Sequence, residues 1–415
     1  MKTAVVGAGI IGLSTAYCLL KEGVEVVVLD QAPEEWENCS FGNGGMIVPS
    51  HFEPLAAPGM VQYGLKMLKS RKSPFGVHFA PDMDLARWGL LFMKHCTEEH
   101  VEACSPILAA MHLQSRAMYL DWVKELDSDV FFATKGLMMI CKDQATFDAE
   151  AKLAERADEY GIKTEVITEQ QINERDPGIR TKAAGAVHFL DDCHLAPDIL
   201  VRSLRRKILE LGGEIRYGFE VTGWESSGGR VTGLKSAKAT VKADEFVLAT
   251  GAWTGELGRI FSLNMPMRSG KGYNVTLSNP RECPEICSVL VEGRIAVTPF
   301  GGRLRFSGTM EICGVDHSIN ENRVQGIVEN IPKYFPSFEP SDFENQPVWA
   351  GLRPVSADGM PYLGRSNRWH NLTVAAGHGM MGLSLGPVTG QLVTDVIKGR
   401  TPQIPIELMN PDRFR

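Results

Sequence analysis

A chain of 415 residues with 44% hydrophobic and 22% charged side chains carries ample core material, and its length suggests two domains. The formal net charge of −7 excludes the basic footprint of a nucleic-acid binder. Nine cysteines, odd in number and without pattern, suit free thiols in a reducing, cytoplasmic setting; Cys283 and Cys287 have no histidine cluster or second pair, so no metal site is expected.

The chain opens on strand, glycine turn, helix, loop, strand, acid. Thr3–Val6 is of strand type, Gly7-Ala8-Gly9-Ile10-Ile11-Gly12 is the turn, Leu13–Leu20 is helical, and Val24–Leu29 leads to Asp30. At this spacing the first glycine permits the tight turn, the second admits a pyrophosphate against the backbone, and the third lets helix and strand pack closely. The helix start then offers free N–H groups and a positive dipole end to phosphates. Asp30 is placed to accept from ribose hydroxyls and to repel a 2′-phosphate, which disfavours NADP. The uncharged run 3–20 after Lys2 also resembles a signal peptide or membrane span, but three glycines and an immediate second strand oppose both.

Next comes a glycine- and asparagine-rich loop, Cys39–Met46, suited to backbone running close to a planar ligand, and then His51, a substrate-orienting imidazole or a structural one. Residues 54–130 read as core-facing helices, although a docking face for a membrane or quinone pool stays open. A hairpin is expected over 130–141 with its turn at Lys135-Gly136, a helix over 143–160, and a helix start at Thr168 with Gln171 three residues on. The pattern then returns to α/β: a strand over 184–190, a helix over 198–211 ended by Gly212-Gly213, strands over 214–224, 231–242 and 245–249, and then Thr250-Gly251, where backbone again approaches a ligand. Residues 266–314 are strand-rich and 319–335 helical. Arg353, in a loop stiffened by Pro354, suits a two-pronged grip on a carboxylate. The end repeats the opening, with a strand over 372–376, a glycine turn over 377–382 and a helix over 385–398. The window 371–394 has no charged side chain, yet its glycines and Pro387 oppose a membrane span. A second helix start aimed at a ligand that becomes anionic, such as a reduced flavin, reads better.

These motifs resemble the FAD-dependent D-amino-acid oxidase superfamily over essentially the full length, closest to bacterial D-amino-acid dehydrogenase small subunits and hydroxy-D-proline dehydrogenases. The landmarks are Gly7–Gly12, Ser40–Gly45, Ala56–Gly59, Leu85–Trp88, Gly270–Tyr273, Arg303–Thr309, Gly351–Pro354 with Asp358–Pro361, and Gly377-His378-Gly379. The resemblance implies a Rossmann-like FAD domain of glutathione-reductase type (1–54, 191–262 and 346–415). It implies a second domain for substrate on a mixed or antiparallel sheet (55–190 and 263–345). It puts Gly7, Gly9, Ile10, Ile11 and Gly12 at the pyrophosphate, Asp30 and Gln31 at the ribose, Val221 at the adenine, and Ser40, Gly44, Gly45 and Met46 along the flavin. Thr250 and Gly251 line the cofactor; Gly379, Met380, Met381, Gly382 and Leu383 meet the isoalloxazine edge. Arg353 grips the substrate carboxylate, with Tyr273 and His51 near the substrate.

The implied activity is dehydrogenation of an amino acid, a D-amino acid or D-proline derivative, by hydride transfer to non-covalent FAD. Glycine or sarcosine oxidation with O2 and a purely electron-relaying subunit are the alternatives. Ile295-Ala296-Val297 and Met380 stand where glycine oxidases carry a tyrosine and an arginine, which points away from glycine. The branch with covalent flavin carries a cysteine near the place of Leu352, and none is near it in this sequence. Quinone and O2 both remain open as acceptor, as does peripheral association with the inner face of the membrane.

Overall fold

The computed structural model describes residues 1–78, 82–126 and 129–414. Two sheets organise it. The first runs, edge to edge, Tyr362–Arg365, Leu372–Ala376, Glu245–Leu248, Lys2–Val6, Glu25–Leu29 and Glu214–Arg216. Every neighbouring pair is parallel except the first. The central strands are hydrophobic at nearly every position because both faces are covered. Val5, Val26, Val28, Val247 and Ala375 pack against the helices Ile10–Lys21, Pro197–Glu210 and Gly386–Lys398. Ala4, Val6, Val27, Leu29, Phe246 and Val374 face the other way, into a core shared with the three-stranded sheet of residues 223–242.

The second sheet runs Val348–Ser356, Met267–Leu277, Arg303–Cys313, Ile295–Phe300, Cys287–Leu290, Leu137–Cys141, Gly185–Phe189 and Thr164–Ile167, with Phe75–Val77 added parallel to Arg303–Cys313. One face buries Tyr273, Val275, Phe306 and Ile295 beneath the helix Glu321–Tyr334. The other face turns Asn274 and Thr298 toward the first domain, where they bond the carbonyls of Gly42 and Gly44.

Several elements differ from expectation. The hairpin over 130–141 does not form: Ala133 bridges His194, Gly136 N–H donates to Asp192, and only Leu137–Cys141 is a strand, paired with Gly185–Phe189. The helical stretch 54–130 is three helices, Met60–Met67, Met83–His95 and Glu98–Glu125, interrupted by the strand Phe75–Val77. The stretch 214–224 breaks after Arg216, so Glu214–Arg216 joins the first sheet and Gly223–Ser227 the small one. Arg353 lies on a strand, Val348–Ser356, and that strand belongs to the second sheet although 346–415 reads as cofactor domain. Conversely, Glu98–Glu125 packs into the first domain: Tyr119 donates to the Leu383 carbonyl at 2.7 Å and Trp122 meets Tyr17 edge-on. Thr168 does cap the helix Glu169–Arg175 in a reciprocal capping box with Gln171.

Candidate active site

The opening turn is shaped by contacts only glycine can make. Gly7 has φ +110°, and a Cβ there would come 2.3 Å from the Ala249 carbonyl oxygen; at Gly12 it would come 1.9 Å from the Gly7 oxygen. Gly9 is different. A Cβ on it would meet only the Ser40 hydroxyl, at an ordinary 3.5 Å, so packing does not demand glycine there. Its bare backbone instead opens into a cavity. The carboxylate of Asp30 accepts the N–H groups of Ala8 at 2.6 Å and Ala32 at 2.8 Å, and Ser40 Oγ accepts the Ile10 N–H at 2.9 Å. No acid stands in the first turn of Ile10–Lys21, so its positive end is left for an anion.

The cavity holds about 620 Å³ and both glycine hinges border it, Gly7 and Gly9 from the start of the chain, Gly379 and Gly382 from its end. What brings them together is a close helix crossing. A Cβ on Gly390 would stand 2.6 Å from the Ser14 carbonyl oxygen, and one on Gly386 would stand 3.0 Å from Ile10 and from the Ser14 hydroxyl. The helix Gly386–Lys398 likewise has no acid in its first turn.

The far wall is the second sheet. Gly272 and Gly351 are register partners, and the Arg353 guanidinium lies over Gly272, where a Cβ would be 2.2 Å from Nη1. Nη1 donates to the carbonyls of Thr309 at 2.7 Å and Gly270 at 3.4 Å. Among the described residues no carboxylate pairs with Arg353. Burial pulls its pKa down, and the nearby Cys39 acts in the opposite sense. Ser307 Oγ and His378 Nδ1 are buried without a protein partner, and both residues line the cavity, as expected where a ligand supplies the partners. A long groove with phosphate-ready N–H groups at one end, carbon-lined glycine walls and unmatched polar atoms along it fits a dinucleotide.

The sequence model of the DAO family, described as FAD dependent oxidoreductase, matches residues 2–396. The chain belongs to this family. It is similar to a D-amino acid dehydrogenase of Paramagnetospirillum magneticum, 30% identical over 420 aligned residues that cover 100% of this chain and 99% of that one. In fold it is similar to the glycine oxidase of Geobacillus kaustophilus, with TM-score 0.79, 21% identity and coverage of 100% and 98% of the two chains. It is also similar to the L-proline dehydrogenase of P. horikoshii, with TM-score 0.73, 19% identity and coverage of 100% and 97%. FAD is the cofactor of this DAO-family oxidoreductase.

Most residues expected at the DAO-family cofactor border the cavity: Gly7, Gly9, Ile10, Ile11, Asp30, Gln31, Ser40, Gly44, Val221, Thr250, Gly251, Gly379, Gly382 and Leu383, together with Arg353. Others do not. Gly12 serves helix packing, Gly45 lies against the Leu195 carbonyl, and Met46 pairs with His194. Met380 is 45% exposed, and the Met381 sulfur sits 3.3 Å from His112 Nε2. Tyr273 borders the cavity, but its ring lies in the core under Glu321–Tyr334 and its hydroxyl donates to Glu311 at 2.8 Å, which with burial raises its pKa. His51 is outside the cavity lining. Its Nδ1 is 2.9 Å from Ser50 Oγ, which donates to Asp192 at 2.5 Å. Burial and Arg294 pull His51 down to about 4, and burial pushes Asp192 up to about 8.

Cys39 borders the cavity as expected of its loop, Ser307 does so from a landmark that had been given no role, and Trp349 does so without having been foreseen. A signal for Trp349 was present: Trp349, Gly351 and Arg353 alternate as one face of a strand does, and Pro354 obscured it.

Proposed function

We propose that this oxidoreductase dehydrogenates an amino acid at its Cα, with the substrate carboxylate held by Arg353. The observation that carries this is a guanidinium in the cavity wall that has two carbonyls and, among the described residues, no acid for company. A half-buried cation in a cavity wall without a counter-ion is best satisfied when a ligand brings the charge. With Nη1 anchored on Thr309, the remaining N–H groups form a fork of fixed direction, which suits a planar carboxylate. When bound, FAD supplies a two-electron acceptor. The chain supplies orientation and exclusion of water; the substrate amine must arrive neutral, and no side-chain base is assigned.

A D-amino acid or D-proline derivative is the substrate class favoured by the similarity to D-amino acid dehydrogenase. We read the residues along the cavity in the roles given above, Gly9 and Ile10 at the pyrophosphate, Asp30 at the ribose, Gly44, Gly379, Gly382 and Leu383 at the flavin. FAD is held non-covalently: the covalent branch of the family carries a cysteine near the place of Leu352, and this sequence has none near it. Quinone or O2 takes the electrons onward, and the rate of reoxidation by air in stopped flow separates them. Among the described residues no helix is long and apolar enough to cross a membrane. Peripheral association is favoured by exposed Leu65, Met83, Leu90 and Met93 beside Lys66 and Lys94.

The test is anaerobic bleaching of the flavin band by a panel of D- and L-amino acids, glycine, sarcosine and hydroxyprolines. Bleaching by D-amino acids or cyclic D-imino acids at micromolar to millimolar concentration is expected; a holoenzyme that no member bleaches overturns the reading.

A further inference from the structure

One hydroxyl in the cavity wall is not used by the protein itself. Ser307 lines the cavity and is 7% exposed, and its Oγ is buried without a partner among the described residues. A hydroxyl has one hydrogen to donate and two lone pairs, and burying all of them unmatched is costly unless a ligand completes them.

The sheet ties this hydroxyl to Arg353 twice. On the strand Arg303–Cys313, Ser307 comes two residues before Thr309, whose carbonyl accepts from Arg353 Nη1 at 2.7 Å. Ser307 is also the register partner of Asn274, two residues beyond Gly272, over which the Arg353 guanidinium lies. Two residues along a strand advance about 7 Å, and a neighbouring strand stands about 5 Å away, so Ser307 lies roughly 7–8 Å from both points that fix the guanidinium. On its other side it meets the cofactor loop, where a Cβ on Gly44 would stand 3.9 Å from Oγ. Its neighbours across the sheet offer nothing in its place: Asn274 is spent on the Gly42 carbonyl at 2.7 Å, and Ala296 has no polar side chain. An α-amino acid fits this separation. With two bonds of about 1.5 Å between amine and carboxylate carbon, and a hydrogen bond of roughly 2.9 Å at each end, it reaches partners up to about 8 Å apart.

We infer that Ser307 is a second substrate-positioning residue, whose Oγ accepts an N–H of the substrate amine while Arg353 holds the carboxylate. The inference rests on the Arg353 reading. Two anchors on one wall fix the axis of the molecule, so the Cα–H is presented in one direction. The contact also tightens during the reaction. The Cα hydrogen leaves with its electron pair for the two-electron acceptor, the nitrogen lone pair forms the C=N bond, and the nitrogen turns positive. An N–H on positive nitrogen is a stronger donor, so the hydroxyl stabilises the transition state more than the ground state. The product leaves as the iminium, or as the imine once a proton passes to solvent.

The experiment takes the amino acid of the panel that reduces the flavin fastest and pairs it with the same acid lacking nitrogen, propionate for D-alanine or cyclopentanecarboxylate for D-proline. The amino acid is followed by anaerobic flavin reduction, and the amine-free acid by perturbation of the flavin spectrum of the holoenzyme. Ser307→Ala is expected to lower the ratio of limiting rate to Kd for the amino acid by about 3- to 20-fold, with losses in both quantities. The Kd of the amine-free acid is expected to stay within about twofold, because Arg353 alone holds it. Tm and FAD content are expected to be unchanged, since the deleted oxygen has no partner in the protein. Ser307→Thr, which keeps the hydroxyl, is expected to recover part of the rate. Equal weakening of both ligands, an amino-acid rate indifferent to Ser307, or loss of FAD in place of loss of rate overturns this inference and leaves the Arg353 reading standing. No bleaching by any amino acid overturns both.

Discussion

Arg353 reaches across the neighbouring strand to place Nη1 2.7 Å from the carbonyl oxygen of Thr309. One prong of the guanidinium is thereby spent on positioning the other. Arg353→Lys keeps the charge but loses both the anchor and the fork. We expect Arg353→Ala to lower kcat/KM by about 30- to 1000-fold, corresponding to roughly 2–4 kcal/mol for a desolvated charge-assisted pair, with most of the loss in KM. Arg353→Lys should recover little of it. Steady-state kinetics on a FAD-replete enzyme check this, with cofactor content measured from absorbance.

The crossing of the first and last long helices has no spare volume. A methyl on Gly390 would meet backbone at Ser14 (2.6 Å to the oxygen), and backbone cannot swing aside as a side-chain tip can. Gly390→Ala should cost about 1–3 kcal/mol of stability, and Gly390→Val more. Because this crossing also sets both hinges at the cavity, FAD affinity should fall in step with Tm, measured by thermal melts with and without added FAD.

Asp30 ties down the turn it faces through the Ala8 N–H. Asp30→Ala removes an acceptor for two backbone donors, Ala8 and Ala32, at the dinucleotide end. Weakening of FAD binding by about 10- to 100-fold is expected, from roughly 1–3 kcal/mol per charge-assisted bond lost. Quenching of free-flavin fluorescence on titration with apoprotein gives the affinity directly.

Asp192 is wholly buried, accepts from the Ser50 N–H and hydroxyl, and has its pKa raised to about 8 by burial. In the unfolded chain it ionises near an ordinary aspartate value of about 3.9. Between those limits the folded state holds a proton that the unfolded state has lost. Its contribution to stability is therefore complete below about pH 4 and declines as pH rises toward 8, by at most about 1.4 kcal/mol per pH unit. Asp192→Asn mimics the protonated acid, so its Tm should fall less than wild type between pH 5 and 8. A parallel loss in both proteins would refute the assignment.

The cofactor half of the site was legible because its chemistry is local in sequence. A strand, Gly7 to Gly12, a helix and an acid specify a phosphate turn within thirty residues, and the terminal glycine turn repeats the idea. The substrate half was less legible because it is assembled from strand neighbours. Whether Tyr273 faces ligand or core depends on the bulge between Lys271 and Tyr273, which no periodicity announces. The 130–141 hairpin failed for a related reason: its first arm found a better partner in His194, more than fifty residues on. The place of Arg353 on a strand was hidden by Pro354, which the sheet accommodates because Val348–Ser356 is its edge strand.

The first sheet is completed only by Leu372–Ala376, which lies alongside Glu245–Leu248. A ribosome must therefore extrude almost the whole polypeptide before that flank is covered. Until then Phe246, Val247 and Leu248 lack their neighbour on that side, so premature termination before residue 372 is expected to yield an aggregation-prone product rather than a weakened enzyme.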